Sequence, residues 1–272
     1  MRNLLITTVG SYNLLHVWTA GNANFDVVTV DYTQTPTFKY PGIYKAVLDL
    51  PRTYDYYWMP DEDIYLSTRS INRMFEQMAR FGLDLGQPSV EDSKRSFPSW
   101  PMFVHKPGPV FKPMPFVEVM CPCFSLRGLM TCLDTFPKSN GGWGLDIAWA
   151  KLLDYQHMGL MNNIVVRHTR PPIQGSNLYK ILKDSPSKEM HRLIEEYEVI
   201  MIPYNADKAK KGGRDGDAPA KRRVSKGRSR VHIRPNGRDI LDSKPVREGS
   251  RVDRKAQKGF CDPRRQLFGR RG

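Results

Sequence analysis

Asp61-Glu62-Asp63 directly follows the aromatic run Tyr54-Asp55-Tyr56-Tyr57-Trp58-Met59. Two carboxylates two residues apart thus leave what reads as the end of a buried β-strand. In an extended segment residues i and i+2 lie on one face roughly 6 to 7 Å apart. Asp61 and Asp63 can then address one divalent cation while Glu62 points away. Oxygen ligands of this kind suit a hard cation that holds a phosphate. A bare D-x-D also occurs in solvated loops, so its meaning depends on what the chain brings beside it.

Two later segments are candidates for that company. Asn163-Ile164-Val165-Val166-Arg167-His168 reads as a strand ending in a histidine and is followed by Thr169-Arg170. An imidazole at a strand end, in a chain whose acids also lie at strand ends, points to a metal or phosphate. Arg167 and Arg170 have the planar forks that pair with phosphate oxygens, or they edge a solvated loop. Upstream, Asn140-Gly141-Gly142-Trp143-Gly144-Leu145-Asp146 opens a helix predicted over Ile147 to Leu153. Its glycines permit close backbone approach, Trp143 offers a flat wall, and Asp146 lies where a helix dipole favours an ionised carboxylate. Asp146 also fits an ordinary cap bonded to its own backbone.

The elements that must position these residues follow from periodicity. Leu4 to Val9, ending at Gly10-Ser11, reads as a first strand, and Phe25 to Asp31 as a second. Between them Leu14, Leu15, Val17 and Trp18 suggest a helix, which makes a right-handed βαβ unit whose strand ends place Gly10, Ser11 and Asp31 on one crevice. No Gly-x-Gly-x-x-Gly or phosphate-binding P-loop is present, which disfavours a dinucleotide fold. A short helix is expected over Gly42 to Leu50, a third strand over Tyr54 to Met59, and an amphipathic helix over Ser67 to Phe81 capped by Gly82. A Pro-rich loop, Pro98 to Pro115, carries Trp100 and His105. An apolar strand is expected from Phe116, and a last helix runs from Ser185 to Val199.

Charge divides the chain. Residues 1 to 204 hold 20 Lys+Arg and 20 Asp+Glu, whereas residues 205 to 272 hold 22 and 8, so the net charge of +14 lies in the tail. That tail has too few large apolar residues to offset its chain entropy and is expected to be a largely disordered basic C-terminal segment. Such a block suits a polyanion, nucleic acid more than an anionic membrane surface, or serves only for solubility. Cys121, Cys123, Cys132 and Cys261 form neither a disulfide framework nor a paired zinc set, and core packing is the expected role of the first two. The N-terminal apolar run is too short and polar for a signal peptide, and no transmembrane segment of roughly 20 apolar residues exists. These features read as cytoplasmic.

The order of these motifs resembles nucleotide-sugar glycosyltransferases of the GT-A fold. Gly141-Gly142-Trp143-Gly144-Leu145-Asp146 with Arg167-His168-Thr169-Arg170 looks like the Gly-Trp-Gly and metal-histidine pattern of β-1,4-galactosyltransferases. The fuller strings Trp58 to Ile64, Phe116 to Ser125 and Trp143 to Asp146 are similar to a plant and bacterial family of suspected glycosyltransferases. The likeness covers roughly residues 3 to 172. It implies an α/β GT-A-like, Rossmann-like mixed sheet flanked by helices over residues 1 to 204, and a donor that is a nucleotide diphosphate sugar. It implies Asp61, Asp63 and His168 as ligands of Mn²⁺ or Mg²⁺. Gly10, Ser11, Asp31, Asp61, Trp143, Arg167 and Arg170 would bind the donor, and Asp146 would be the general base. This chain has Leu145-Asp146 where galactosyltransferases have two adjacent acids, which leaves base and acceptor clamp both open for Asp146.

The chemistry then expected is inverting sugar transfer to a hydroxyl, on modified DNA or another polyanion. A metal-dependent phosphoesterase or nuclease is the competing enzyme. A nucleic-acid-binding protein on a degenerate transferase scaffold is the non-enzymatic alternative.

Overall fold

The structure is a computed structural model, and it describes residues 1–171 and 182–199 together with two short paired strands, 201–202 and 231–232. The expected mixed α/β sheet with flanking helices is present. Its strands are β1 (Asn3–Val9), β2 (Asp26–Asp31), β3 (Tyr56–Trp58), β4 (Ile64–Tyr65), β5 (Leu85–Val90), β6 (Phe111–Pro113), β7 (Cys123–Ser125) and β8 (Met158–His168). They lie in the order β2-β1-β3-β7-β5-β8-β4, with β6 also on β8. Strands β1, β2 and β3 are parallel, as are β5 and β8, and β7 runs antiparallel between β3 and β5.

All seven residues of β1 are buried, as a central strand covered on both faces requires. The helices are α1 (Leu15–Trp18), α2 (Lys39–Asp49), α3 (Thr68–Phe81), α4 (Leu126–Cys132), α5 (Leu145–Leu152) and α6 (Pro186–Glu196). Helix α3 follows its sequence signals closely. Ser67 accepts a hydrogen bond from the Ser70 amide at one end, and Gly82 closes the other at φ 58°. Ile71, Met74, Phe75 and Met78 are buried along one face, and the helix packs on β5, β7, β8 and α1. Tyr40, Phe124, Phe136 and Trp149 form an aromatic cluster with centroids 5.0–5.9 Å apart. Cys121, Cys123 and Cys132 are free, buried thiols, and burial pushes all three well up.

Two strand expectations need correction. Phe116 to Met120 is not a strand, because its backbone is satisfied mainly by side chains, with one backbone bond from Asp61, instead of a neighbouring ladder. The Glu118 amide donates to Gln87 Oε1, Val119 O accepts from Lys39 and Tyr40, and Met120 O accepts from Lys39 and from the Asp61 amide. Conversely, β5 lies in a stretch to which the sequence assigns no element. Pro88 within it removes a ladder donor, and the register against β8 breaks between Pro88 and Ser89, where such a loss is tolerated.

No described helix is long and apolar enough to cross a membrane. The contacts divide the chain into Met1–Arg238 and Asp239–Gly272, and the second unit lies outside the described residues. So does the basic segment 205–272, apart from Val231–His232, which pairs in parallel with Met201–Ile202.

Candidate metal site

In a mixed sheet the carboxyl ends of the parallel strands open on one edge, where ligands bind. Here β1 ends at Val9 before Gly10, β3 leads into Asp61, and β8 ends at His168. Because β7 runs the other way, with Trp58 opposite Cys123, the preceding Glu118–Cys121 stretch arrives at that same edge.

Asp61 and Asp63 do not continue an extended strand. The Ile64 amide bonds Asp61 O at 3.2 Å, so a turn folds the triplet back, and β4 then pairs with the end of β8 in the register Ile64 to His168. Both the Thr169 amide and its hydroxyl donate to Asp63 O. This register sets the imidazole beside the acids. Strand β8 reaches it through an irregularity at Asn162–Ile164, where the Ser89 hydroxyl bonds the carbonyls of Asn162 and Ile164. Such bulges re-aim strand ends near functional sites.

The result is a group in which one ligand atom from each of Asp61, Asp63 and His168 lies within 4.8 Å of the others. Ligands about 2.0 to 2.3 Å from a common ion can be at most about twice that apart, so the group fits one cation after a shift of a few tenths of an ångström. His168 Nδ1 donates to Phe97 O at 2.8 Å, which leaves Nε2 available to ligate, 3.5 Å from Asp63 Oδ2. Two carboxylates and one imidazole suit Mn²⁺ or Mg²⁺, the nitrogen favouring Mn²⁺.

The acids are already partnered. Lys39 Nζ lies 2.6 Å from Asp61 Oδ1, and Arg170 spans Asp63 Oδ2 at 2.9 Å and Glu62 Oε1 at 2.8 Å. Burial, the largest influence on Asp61, raises its carboxyl above the ordinary range although Lys39 opposes it. Burial acts the same way on Asp63, but His168 and Arg170 outweigh it and hold that carboxyl below its usual value. His168 is in turn raised, because Asp63 overcomes the cost of burying an imidazolium.

Glu62, expected to point away, is outside the three-ligand group but shares the Arg170 guanidinium with Asp63, and it is a hub. Its carboxylate accepts from the Gly10 amide at 2.6 Å, from Tyr32 Oη at 2.8 Å and from Arg170. The Tyr32 ring fills the space where a Cβ on Gly10 would stand, and burial with Glu62 pushes its hydroxyl up to about 12. Gly10 therefore joins the site through Glu62, with exposed Ser11 beside it. Arg170 stacks on Tyr12, 4.8 Å from the ring centroid.

Two expected donor residues are not brought to this group. Asp31 is exposed and bonds its own turn through Thr33, which lowers its carboxyl. Arg167 alternates to the other face of β8, where it pairs with Glu91 at 2.8 Å and stacks on Tyr65.

Asp146 is buried in the first turn of α5, whose cap is Gly144 at φ 87°. Its Oδ1 accepts from the Ile147 amide. Burial, followed by the Glu118 charge, pushes its carboxyl up to about 7, so burial outweighs the helix dipole that the sequence led us to expect would keep it ionised. Glu118 is also buried, likewise pushed up to about 7 by burial, and within the fields of His168, Asp61, Lys39 and Asp146. Its Oε2 has no partner. Glu118 is not among the residues expected from the sequence, although an acid inside the apolar run Phe116–Met120 is a visible signal. Lys39 gave no such signal.

The Gly141–Trp143 loop is held from α6. Glu189, 2% exposed, accepts from the Ser139 hydroxyl at 2.7 Å and the amides of Asn140 and Gly141 at 3.1 and 2.9 Å. A Cβ on Gly144 would stand 2.9 Å from Met190 Cα, so α6 seats directly on the loop. Glu189→Ala would orphan three donors at a cost of about 3–5 kcal/mol. We expect the melting temperature to fall by roughly 10 °C; a calorimetric scan showing no change would remove this clasp.

No protein-family model and no curated protein matches the chain. Among solved structures it is similar to A197 from STIV, at 13% identity over 63% of this chain and 87% of that one, with a TM-score of 0.39. It is also similar to S. aureus TarS 1-349 in complex with UDP-GlcNAc, at 12% identity over 72% of this chain and 65% of that one, with a TM-score of 0.45. For TarS 1-349 without that ligand the values are 10%, 72%, 70% and 0.42.

Proposed function

We propose that the chain is a metal-dependent glycosyltransferase, moving a sugar from a nucleotide diphosphate sugar to a hydroxyl acceptor with inversion. The observation that carries this reading is the meeting of Asp61, Asp63 and His168 within 4.8 Å at the carboxyl edge of the sheet. In it, Asp61, Asp63 and His168 Nε2 would hold Mn²⁺ or Mg²⁺. The bound ion supplies charge neutralisation for the diphosphate as the glycosidic bond breaks.

The chain's own residues do the rest. Arg170, its Nε and one Nη held by Asp63 and Glu62, adds a fixed positive charge and its remaining N–H donors for the donor phosphates. Gly10 and Ser11 let the donor approach the backbone at the end of β1, and Asp31 lies at the adjoining strand end for the ribose or base. Trp143 packs against a sugar. The Asp146 carboxylate takes the acceptor proton, a step contributing about 10²- to 10⁴-fold. A carboxyl pushed up to about 7 suits that task, since a base is most effective with its pKa near the working pH. Activity then rises with pH through an acid limb centred near 7 instead of near 4. A pH profile of kcat/KM under saturating metal checks this, and a flat profile between pH 5 and 8 would speak against Asp146.

A phosphoesterase or nuclease is less well supported. Among the described residues one three-ligand group occurs, whereas two-metal hydrolases place a second ion about 3.5–4 Å away. The 22 basic residues of the 205–272 segment are proposed to recruit a polyanionic acceptor, nucleic acid before an anionic membrane surface, with affinity that falls steeply with salt. Isothermal titration of nucleotide diphosphate sugars with Mn²⁺ tests the whole reading. Metal-dependent binding of one of them supports it, and binding of none across the panel removes it.

A further inference from the structure

We propose that Lys39 is the resident counter-ion of Asp61 and exchanges onto the diphosphate when metal and donor bind together. Lys39 would thereby couple the two ligands. This rests on the metal-site reading above and assigns it a mechanism of control.

Every donor of the ammonium is used within the site. Lys39 Nζ donates to Asp61 Oδ1 at 2.6 Å, Val119 O at 2.8 Å and Met120 O at 3.2 Å, and its side chain is 15% exposed. An ammonium has three protons to give. Nothing local to α2 calls for this charge, because Lys39 is the first residue of the helix, where the dipole disfavours a cation. The carboxylate holds it there. The neighbouring carbonyl is also pinned by Tyr40 Oη at 2.6 Å, so the ammonium has a built seat beside the acid pair.

Charge balance explains the consequence. Asp61, Glu62 and Asp63 are compensated by Lys39 and Arg170, with His168 against Asp63. A divalent ion arriving alone meets carboxylates already neutralised and is repelled by an ammonium on one of its own ligands. A diphosphate arriving alone finds those cations engaged. With both bound, the Asp61 carboxylate would be given over to the ion and the Lys39 ammonium, on its flexible stem, would turn to a phosphate oxygen. Each ligand then improves the site for the other, and the coupling is reciprocal.

The test uses the full chain and two probes, Mn²⁺ alone and the preformed Mn²⁺–pyrophosphate complex, with affinities from electron paramagnetic resonance and calorimetry. Lys39→Met is expected to bind Mn²⁺ alone about tenfold more tightly and the complex about tenfold more weakly, within the usual range of such couplings. Lys39→Arg keeps the charge and is expected to behave as the parent protein. Lys39→Gln, which retains hydrogen bonds to the carbonyls, is the second variant and carries the same expectation as methionine should the latter not fold. Opposite-signed changes are the signature, since a merely structural lysine would weaken both ligands or neither. Parent protein that binds both probes, with variants shifted in one direction or unshifted, overturns the exchange and leaves the metal site standing. Parent protein that binds neither probe overturns the metal site itself.

Discussion

Asp63→Asn is expected to weaken Mn²⁺ binding by about a thousandfold and to abolish metal-dependent turnover. The side chain keeps its shape but loses the charge nearest His168 Nε2. Two unit charges 4 Å apart interact by about 4 kcal/mol at an effective dielectric constant of 20, and every 1.4 kcal/mol is tenfold in affinity. The fold should survive, because Arg170 retains Glu62 at 2.8 Å and the Thr169 bonds to this residue reach its backbone carbonyl. Metal titration together with a thermal melt separates the two effects. A dissociation constant within threefold of the parent value would mean that Asp63 is a structural partner of Arg170 and no ligand.

Asp146→Asn is expected to lower kcat by about 10²- to 10⁴-fold while leaving donor and metal affinity unchanged. The substituted amide carries no charge at any pH, so the acid limb centred near 7 should vanish along with the rate. Stability should not fall, since the substitution removes a buried charge facing Glu118. Stopped-flow turnover and donor titration on the same preparation decide the point. A variant retaining more than a tenth of the parental kcat would move the proton acceptor elsewhere, and the buried Glu118 would be the first residue to examine.

What was legible in the sequence was local. Helix α3 announced itself through its cap at Ser67, its stop at Gly82 and the spacing of Ile71, Met74, Phe75 and Met78. Strands β1 and β2 were readable as apolar runs, and their parallel pairing followed from the short helix between them. The triad of Asp61, Asp63 and His168 was nameable because the acids follow the aromatic strand β3 and the histidine ends β8. Their meeting was a matter of topology, and that meeting depends on β4, two residues long, pairing Ile64 with His168.

The rest was hidden for physical reasons. Strand β5 contains Gly86 and Pro88, both poor strand formers, and is held by burial between β7 and β8. The stretch Phe116–Met120 has the composition of a strand, but side chains of Gln87, Lys39 and Tyr40, each distant in sequence, satisfy its backbone. Periodicity carries no information about such long-range caps. Lys39, Glu62 and Glu189 were likewise invisible as site residues, because an ordinary charged side chain acquires its role only from the partner that folding delivers.

The most direct test of the account is where a metal ion lies. Crystals grown with Mn²⁺ and a nucleoside diphosphate should show an anomalous peak about 2.0 to 2.3 Å from His168 Nε2 and from one carboxylate oxygen each of Asp61 and Asp63, with phosphate oxygens completing the shell. A peak bound elsewhere, with the imidazole still turned to Asp63 and no ion between them, would contradict it.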